Sequence, residues 1–221
     1  MQLDFQAREL TIKLVYYGPA LSGKTTNLQA IHRLLPVEGR QRLMTLETKD
    51  DRTLFFDLLP LALASKSGLT VRIKLFTVPG QVIHNSTRRL VLQGADGVAF
   101  IADSQQVEVR ANQNAFRDLR RNLKENGLST GLPLVIQYNK RDLPNIRSEA
   151  DIMRMASRGK ERIYFATATQ GMGVLETFFG LMQETWNGLE SGHQLRQRFS
   201  VEGEELLAQL KGRFARAKSA S

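Results

Sequence analysis

Hydrophobic and polar positions along this chain follow two rhythms, one with the two-residue period of strands and one with the spacing of helices. Residues Glu9 to Tyr17 mix β-branched and aromatic side chains and run into a Gly/Pro turn, which predicts a strand. Lys24 to Leu35 predicts a helix. From Leu69 to Val78 apolar and polar residues alternate, with Val71, Ile73 and Leu75 on one face and Arg72 and Lys74 on the other, the pattern of a half-exposed or edge strand. Two short apolar runs, Gly97 to Ala102 and Leu134 to Tyr138, predict fully buried strands. Between them, Val107 to Glu125 carries Ala115, Phe116, Leu119 and Leu123 on one helical stripe. A last strand is predicted over Arg162 to Thr167 and a last core helix from about Gly173 to Leu189. Strands alternating with helices imply an α/β fold with a mostly parallel sheet covered on both faces, whose ligands bind beyond the carboxyl ends of the strands.

The remaining segment has a different character, which divides the chain into a main domain over residues 1–190 and an extension over residues 191–221. In the extension Leu206, Leu207, Leu210 and Phe214 share a helical face, and Glu202, Glu204 and Glu205 precede Lys211, Arg213, Arg216 and Lys218, the order a helix dipole favours. It reads either as a solvated or self-docked terminal helix, or as a basic amphipathic element for a partner or an anionic membrane. Lying beyond every motif described below, it is expected to be dispensable for ligand binding.

Composition narrows the picture further. There is no cysteine, which excludes disulfides, thiolate zinc sites, prenylation and palmitoylation, and Gln2 stands where myristoylation needs glycine. Met1 to Leu10 has no apolar run, and no stretch is long enough for a membrane span, so a soluble cytoplasmic protein is expected. The net charge of +9 suits an acidic partner or anionic lipid. Without basic motifs interleaved with aromatics, nucleic acid is not expected as a partner. His32, His84 and His193 are scattered and receive no metal or catalytic role. Arg110, Arg117, Arg121 and Lys124 lie along one helix face, which either receives an acidic partner or is simply solvated.

Chemistry concentrates at the predicted strand ends. Gly18-Pro19-Ala20-Leu21-Ser22-Gly23-Lys24-Thr25 matches G-x-x-x-x-G-K-[ST] between a predicted strand and a predicted helix. Glycines let successive backbone N–H groups turn onto a phosphate at a helix N-terminus, where unpaired donors and the dipole favour an anion. Lys24 would reach the β- and γ-phosphates, Thr25 would place its hydroxyl on Mg²⁺, and Thr26 closes the loop. Asn139-Lys140-Arg141-Asp142 follows a predicted strand and matches N-K-x-D. The Asp142 carboxylate can accept from N1–H and the 2-amino group of guanine, a donor pair that adenine lacks. Asn139 and the Lys140 stem would brace the loop and one face of the base. A GTP- and GDP-binding site with Mg²⁺ is the reading; an ATPase of another P-loop class is the rival that N-K-x-D disfavours.

The segments Tyr16-Tyr17-Gly18-Pro19, Ser22-Gly23-Lys24-Thr25-Thr26-Asn27-Leu28, Asp51-Arg52-Thr53-Leu54-Phe55-Phe56-Asp57, Thr77-Val78-Pro79-Gly80-Gln81-Val82 and Gln137-Tyr138-Asn139-Lys140-Arg141-Asp142 together resemble the bacterial MglA small GTPases of gliding motility. The resemblance runs from about Phe5 to Leu189. It implies a Ras-like P-loop NTPase fold, slow GTP hydrolysis and a GTP form that marks a cell pole. It also implies a monomer when alone, activated by a homodimeric roadblock-fold protein of the MglB type and recruiting polarity or motility effectors in the GTP state. By the same resemblance Gly80 senses the γ-phosphate, Gln81 orients the attacking water, Thr53 closes over Mg²⁺ and Arg52 is a built-in arginine finger.

Three departures from the Ras pattern bear on this reading. Thr77 replaces an aspartate of the Mg²⁺ shell, removing a charge beside a divalent ion. Ala166-Thr167-Ala168 stands in place of the usual Ser-Ala-Lys loop, and backbone N–H groups around Thr167 and Ala168 are expected to meet the base oxygen. Ala20 occupies a P-loop position that is otherwise glycine, which leaves a GTP-binding scaffold with little hydrolysis as the alternative to a GTPase.

Overall fold

The computed structural model of the protein describes residues 1–36, 41–46, 56–65, 68–80, 85–128, 131–157 and 159–219. Among the described residues eight strands form one sheet: β1 (Gln2–Asp4), β2 (Glu9–Tyr17), β3 (Met44–Leu46), β4 (Phe56–Ala64), β5 (Thr70–Thr77), β6 (Gly97–Asp103), β7 (Leu134–Asn139) and β8 (Arg162–Phe165). The order is β3-β4-β5-β2-β6-β7-β8. β5, β2, β6, β7 and β8 run parallel, while β3, β4 and β5 pair antiparallel in turn. β1 pairs antiparallel with the first residues of β2, below the point where β6 joins it.

The helices are α1 (Lys24–Leu34), α2 (Asn85–Leu92), α3 (Val109–Glu125), α4 (Glu149–Ala156), α5 (Val174–His193), α6 (Leu195–Phe199) and α7 (Gly203–Ser219). Two apolar clusters sandwich the sheet. On one face Leu10, Ile12, Leu14 and Tyr16 of β2 meet Leu28 and Ile31 of α1 and Phe178, Leu181 and Met182 of α5. On the other, Val15 and Tyr17 meet Val91 and Leu92 of α2 and Leu119 and Leu123 of α3.

The strand alternation places β5 as expected on one point and corrects it on another. Val71, Ile73 and Leu75 are buried and Arg72 and Lys74 are half-exposed, yet β5 is an interior strand, paired on both sides. β7 also differs from expectation: it alternates, with Val135, Gln137 and Asn139 buried and Leu134, Ile136 and Tyr138 half-buried. β4 carries no usable sequence signal, because Pro60 interrupts its pattern; β3 reaches only as far as Leu58, so Pro60 lies where β4 is the outer strand and a missing N–H is tolerated.

The C-terminal segment is part of this core. Leu206, Leu207, Leu210 and Phe214 of α7 are buried in the cluster that holds α1, β4 and α5, and Phe214 stacks edge-on against Phe178 and Phe179. Gly203 starts α7 directly against Trp186, and a Cβ there would collide with the indole. α5 continues to His193, so the boundary at 190/191 falls inside its last turn. The apolar stripe of the extension is thus committed to the protein's own interior, and its removal would open that core.

A candidate nucleotide site at the strand ends

The carboxyl ends of β2, β5, β6 and β7 converge on the loops that carry the sequence motifs. β2 ends at Tyr17, and the backbone turns at once through Gly18, whose absent side chain is a steric need: a Cβ would strike the Ile101 carbonyl oxygen of β6. Gly23, in the left-handed region at φ 94°, precedes α1 without any side-chain cap on the helix, and a Cβ there would collide with the Asn139 amide. Leu21, also left-handed at φ 60°, is 87% exposed at the mouth. Pro19 and Ser22 are buried, while Ala20, Thr25 and Thr26 face outward to varying degrees.

Lys24 lies inside this turn. Its Nζ donates to the carbonyls of Gly18 at 3.1 Å and Pro19 at 2.6 Å. Burial, and secondarily the positive charge of Arg88, push its pKa down to about 7. Both influences disfavour the ammonium, so an anion placed there would relieve them. A phosphate group is such an anion.

Asp57 is the site residue that sequence reasoning missed. It stands near the start of β4, and its Oδ2 accepts from the Thr25 hydroxyl at 2.6 Å and from the Thr77 hydroxyl at 3.1 Å, while its N–H donates to Thr77 Oγ1 at 2.9 Å. A carboxylate thus stands beside Thr77, supplied by the neighbouring strand. The signal was present as Asp57 within the quoted motif, but only the β4–β5 pairing brings it to Thr25 and Thr77. One hydroxyl and one carboxylate together offer the hard oxygen ligands that Mg²⁺ takes. A cavity of about 360 Å³ opens between Leu21, Lys24, Thr25, Asp57, Thr77 and Gly80.

The guanine motif joins the same site through Asn139. Its Nδ2 donates to the Ser22 carbonyl at 2.9 Å and its Oδ1 accepts from the Ala168 N–H at 3.0 Å, so one buried amide ties the phosphate loop to the loop after β8. Lys140, left-handed at φ 65°, sets its Nζ 2.6 Å from Asp103 Oδ2. Asp142 is exposed at the turn that follows. The Ala166-Thr167-Ala168 loop differs from expectation: its N–H groups donate to Tyr138 O, Met172 O and Asn139 Oδ1 respectively, so in this structure it braces Asn139 instead of presenting donors to a base.

Gly80 lies directly against the phosphate loop, since a Cβ on it would collide with the backbone of Ala20. Arg52, Thr53 and Gln81, together with His84, lie outside the described residues. A cleft of about 450 Å³ between Arg120, Leu132, Glu161 and Glu184 is larger than the site cavity. It sits at the opposite ends of the strands, is lined by paired charges, and contains none of the motifs. On the basic face of α3 Arg121 is paired to Asp118, while Arg117 donates to the neutral amide of Asn114.

A mostly parallel sheet with a phosphate-loop motif after its central strand, N-K-x-D two strands away and the two joined by one asparagine defines a Ras-like P-loop nucleotide-binding protein. No protein-family model matches the chain. It is 43% identical over 191 residues, 86% of this chain and 98% of the relative, to the mutual gliding-motility protein MglA of Myxococcus xanthus (strain DK1622). The chain belongs to the MglA family of small GTPases. About a seventh of it has no aligned counterpart in that relative.

Proposed function

We propose that this protein is a GTP/GDP switch that hydrolyses GTP slowly and serves cell polarity in motility; the name of its relative speaks of gliding motility. The observation that carries the reading is the Asn139 bridge between Ser22 and Ala168, which makes the phosphate loop and the guanine motif one site. In this reading the backbone of Gly18 to Thr26 and the Lys24 ammonium hold the phosphates, and the exposed Asp142 carboxylate selects guanine through its paired donors. Magnesium, when bound, supplies positive charge at the phosphate oxygens. The residues fit it: the Thr25 hydroxyl and the Asp57 carboxylate, 2.6 Å apart, would hold it, and Thr53 is assigned to the same shell from the family pattern. Gln81 orients the attacking water and Arg52 neutralises charge on the transferring phosphoryl group.

Polarity effectors recognise the GTP state, and a homodimeric MglB-type roadblock protein accelerates the return. In this reading the protein works in the cytoplasm, concentrated at a cell pole. Among the described residues no helix is long and apolar enough to cross a membrane. Single-turnover hydrolysis of GTP, with and without a cognate roadblock-fold protein, tests the proposal. Slow turnover that rises at least tenfold with that protein supports it; bound GTP that stays intact under both conditions means a scaffold.

A further inference from the structure

Three fully buried polar side chains, Asn27 of α1, Gln137 of β7 and Thr177 of α5, tie the phosphate loop to the sheet and to the helix packed on it. Gln137 Nε2 donates to Asn27 Oδ1 at 3.0 Å and to Thr177 Oγ1 at 2.8 Å. Asn27 Nδ2 donates to the Gly23 carbonyl at 2.9 Å, and the Thr177 hydroxyl donates to the Gly173 carbonyl at 2.8 Å. Both ends of this chain are carbonyls, which only accept, so each group between them has a single orientation. The Thr177 proton is committed to Gly173 and the Asn27 amino group to Gly23, which leaves both oxygens to receive Gln137. The arrangement has a cost: Gln137 Oε1 is buried without a hydrogen-bond partner among the described residues. An apolar pair could fill the same space without it, so the amides point to a task other than packing.

We infer that Asn27 and Gln137 are positioning residues for phosphate binding: they hold the Gly23 carbonyl so that the N–H of Lys24 faces the anion. The inference rests on the nucleotide-binding reading. The peptide bonds of this turn are trans, and in a trans unit the C=O and N–H point in opposite directions. Two donors of Asn27, its backbone N–H at 2.9 Å and its amide, draw the Gly23 carbonyl into α1. The Lys24 N–H of the same unit is thereby turned out of the helix N-terminus, toward the cavity that Gly23, Lys24 and Thr25 line. Asn139 does the same for the preceding unit by holding the Ser22 carbonyl. Gln137 and Asn139 stand two residues apart on the buried face of β7, so one strand face fixes two successive carbonyls, the first directly and the second through Asn27. Donors that are oriented in advance need less ordering when the phosphate arrives.

The full-length chain and the variants Asn27→Val, Asn27→Thr and Asn27→Leu/Gln137→Met are compared by GDP affinity, by urea unfolding without nucleotide and by phosphorus NMR of bound GDP. Valine and threonine have the same shape, but a helical threonine hydroxyl can donate to the carbonyl four residues back, here that of Gly23. Asn27→Val should weaken GDP binding about tenfold and Asn27→Thr by no more than about threefold. The double variant leaves no buried donor without its partner, so its urea midpoint should return close to that of the parent. Its GDP affinity should nevertheless stay about tenfold low, with the β-phosphate resonance displaced from its position in the parent. Equal affinities for Asn27→Val and Asn27→Thr overturn the inference, and this comparison decides even if the double variant does not fold. Affinity that returns together with stability in the double variant also overturns it, because the network is then structural only. If the parent chain itself binds no GDP, the nucleotide-binding reading fails, and the inference with it.

Discussion

Each residue of the site does one job that its neighbours define. Lys24 is the clearest case, because a buried ammonium lowered to about 7 beside Arg88 is a poor cation until phosphate arrives. Phosphate raises that pKa, so the bound form holds the proton more tightly than the free form. Affinity is then greatest below pH 7 and falls as pH rises from about 7 toward the pKa in the complex. At pH 8, where the nucleotide phosphates are already ionised, binding should take up most of one proton. Calorimetry in buffers of different ionisation enthalpy reads this directly, and proton release or none would contradict it. Asp57 makes a second test. Asp57→Asn keeps the shape and the bond to Thr25 but removes the charge, so GDP release should speed up at least tenfold in Mg²⁺ and change little in its absence. Equal release rates in parent and variant with Mg²⁺ would remove Asp57 from the metal site.

At the scale of elements, β2, α1, β6, α3 and α5 are legible in the sequence because period and length agree with their surroundings. β4 is not, because Pro60 and an antiparallel partner break the parallel pattern, and nor is α2, which is short. The phosphate loop and N-K-x-D are legible because each is contiguous. Asp57 is not, since its role exists only across the β4–β5 pairing. α7 teaches the same lesson in reverse. Its amphipathic stripe was visible, but only the fold shows that Leu206, Leu207, Leu210 and Phe214 face Phe178 and Trp186 and not a partner or a lipid surface. Truncation before Gly203 should therefore destabilise the whole domain. Leu207→Ala alone should cost about 2–5 kcal/mol by chemical denaturation, with GDP still bound by the folded fraction. A loss below half a kcal/mol would mean that α7 is not part of the core.

For the molecule as a whole, the sheet presents three open features together: the cavity over the phosphate loop, the guanine motif beside it, and the half-exposed polar face of β5 with Arg72 and Lys74. The excess of positive charge, +9 over the chain, favours acidic partners and makes their association fall with salt. The apolar side of the basic C-terminal helix is buried, so any attraction to anionic vesicles would be electrostatic and would vanish at high salt. The central claim is that one pocket reads both phosphate and guanine, and nucleotide choice tests it most directly. Fluorescent GDP, ADP and xanthosine diphosphate are titrated into the parent protein and into Asp142→Asn. The account predicts that the parent prefers GDP over ADP by at least a hundredfold and that Asp142→Asn loses GDP affinity while gaining xanthosine diphosphate, whose 2-oxo group accepts from the new amide. Equal affinity of the parent for GDP and ADP, or GDP affinity unchanged in Asp142→Asn, would contradict it.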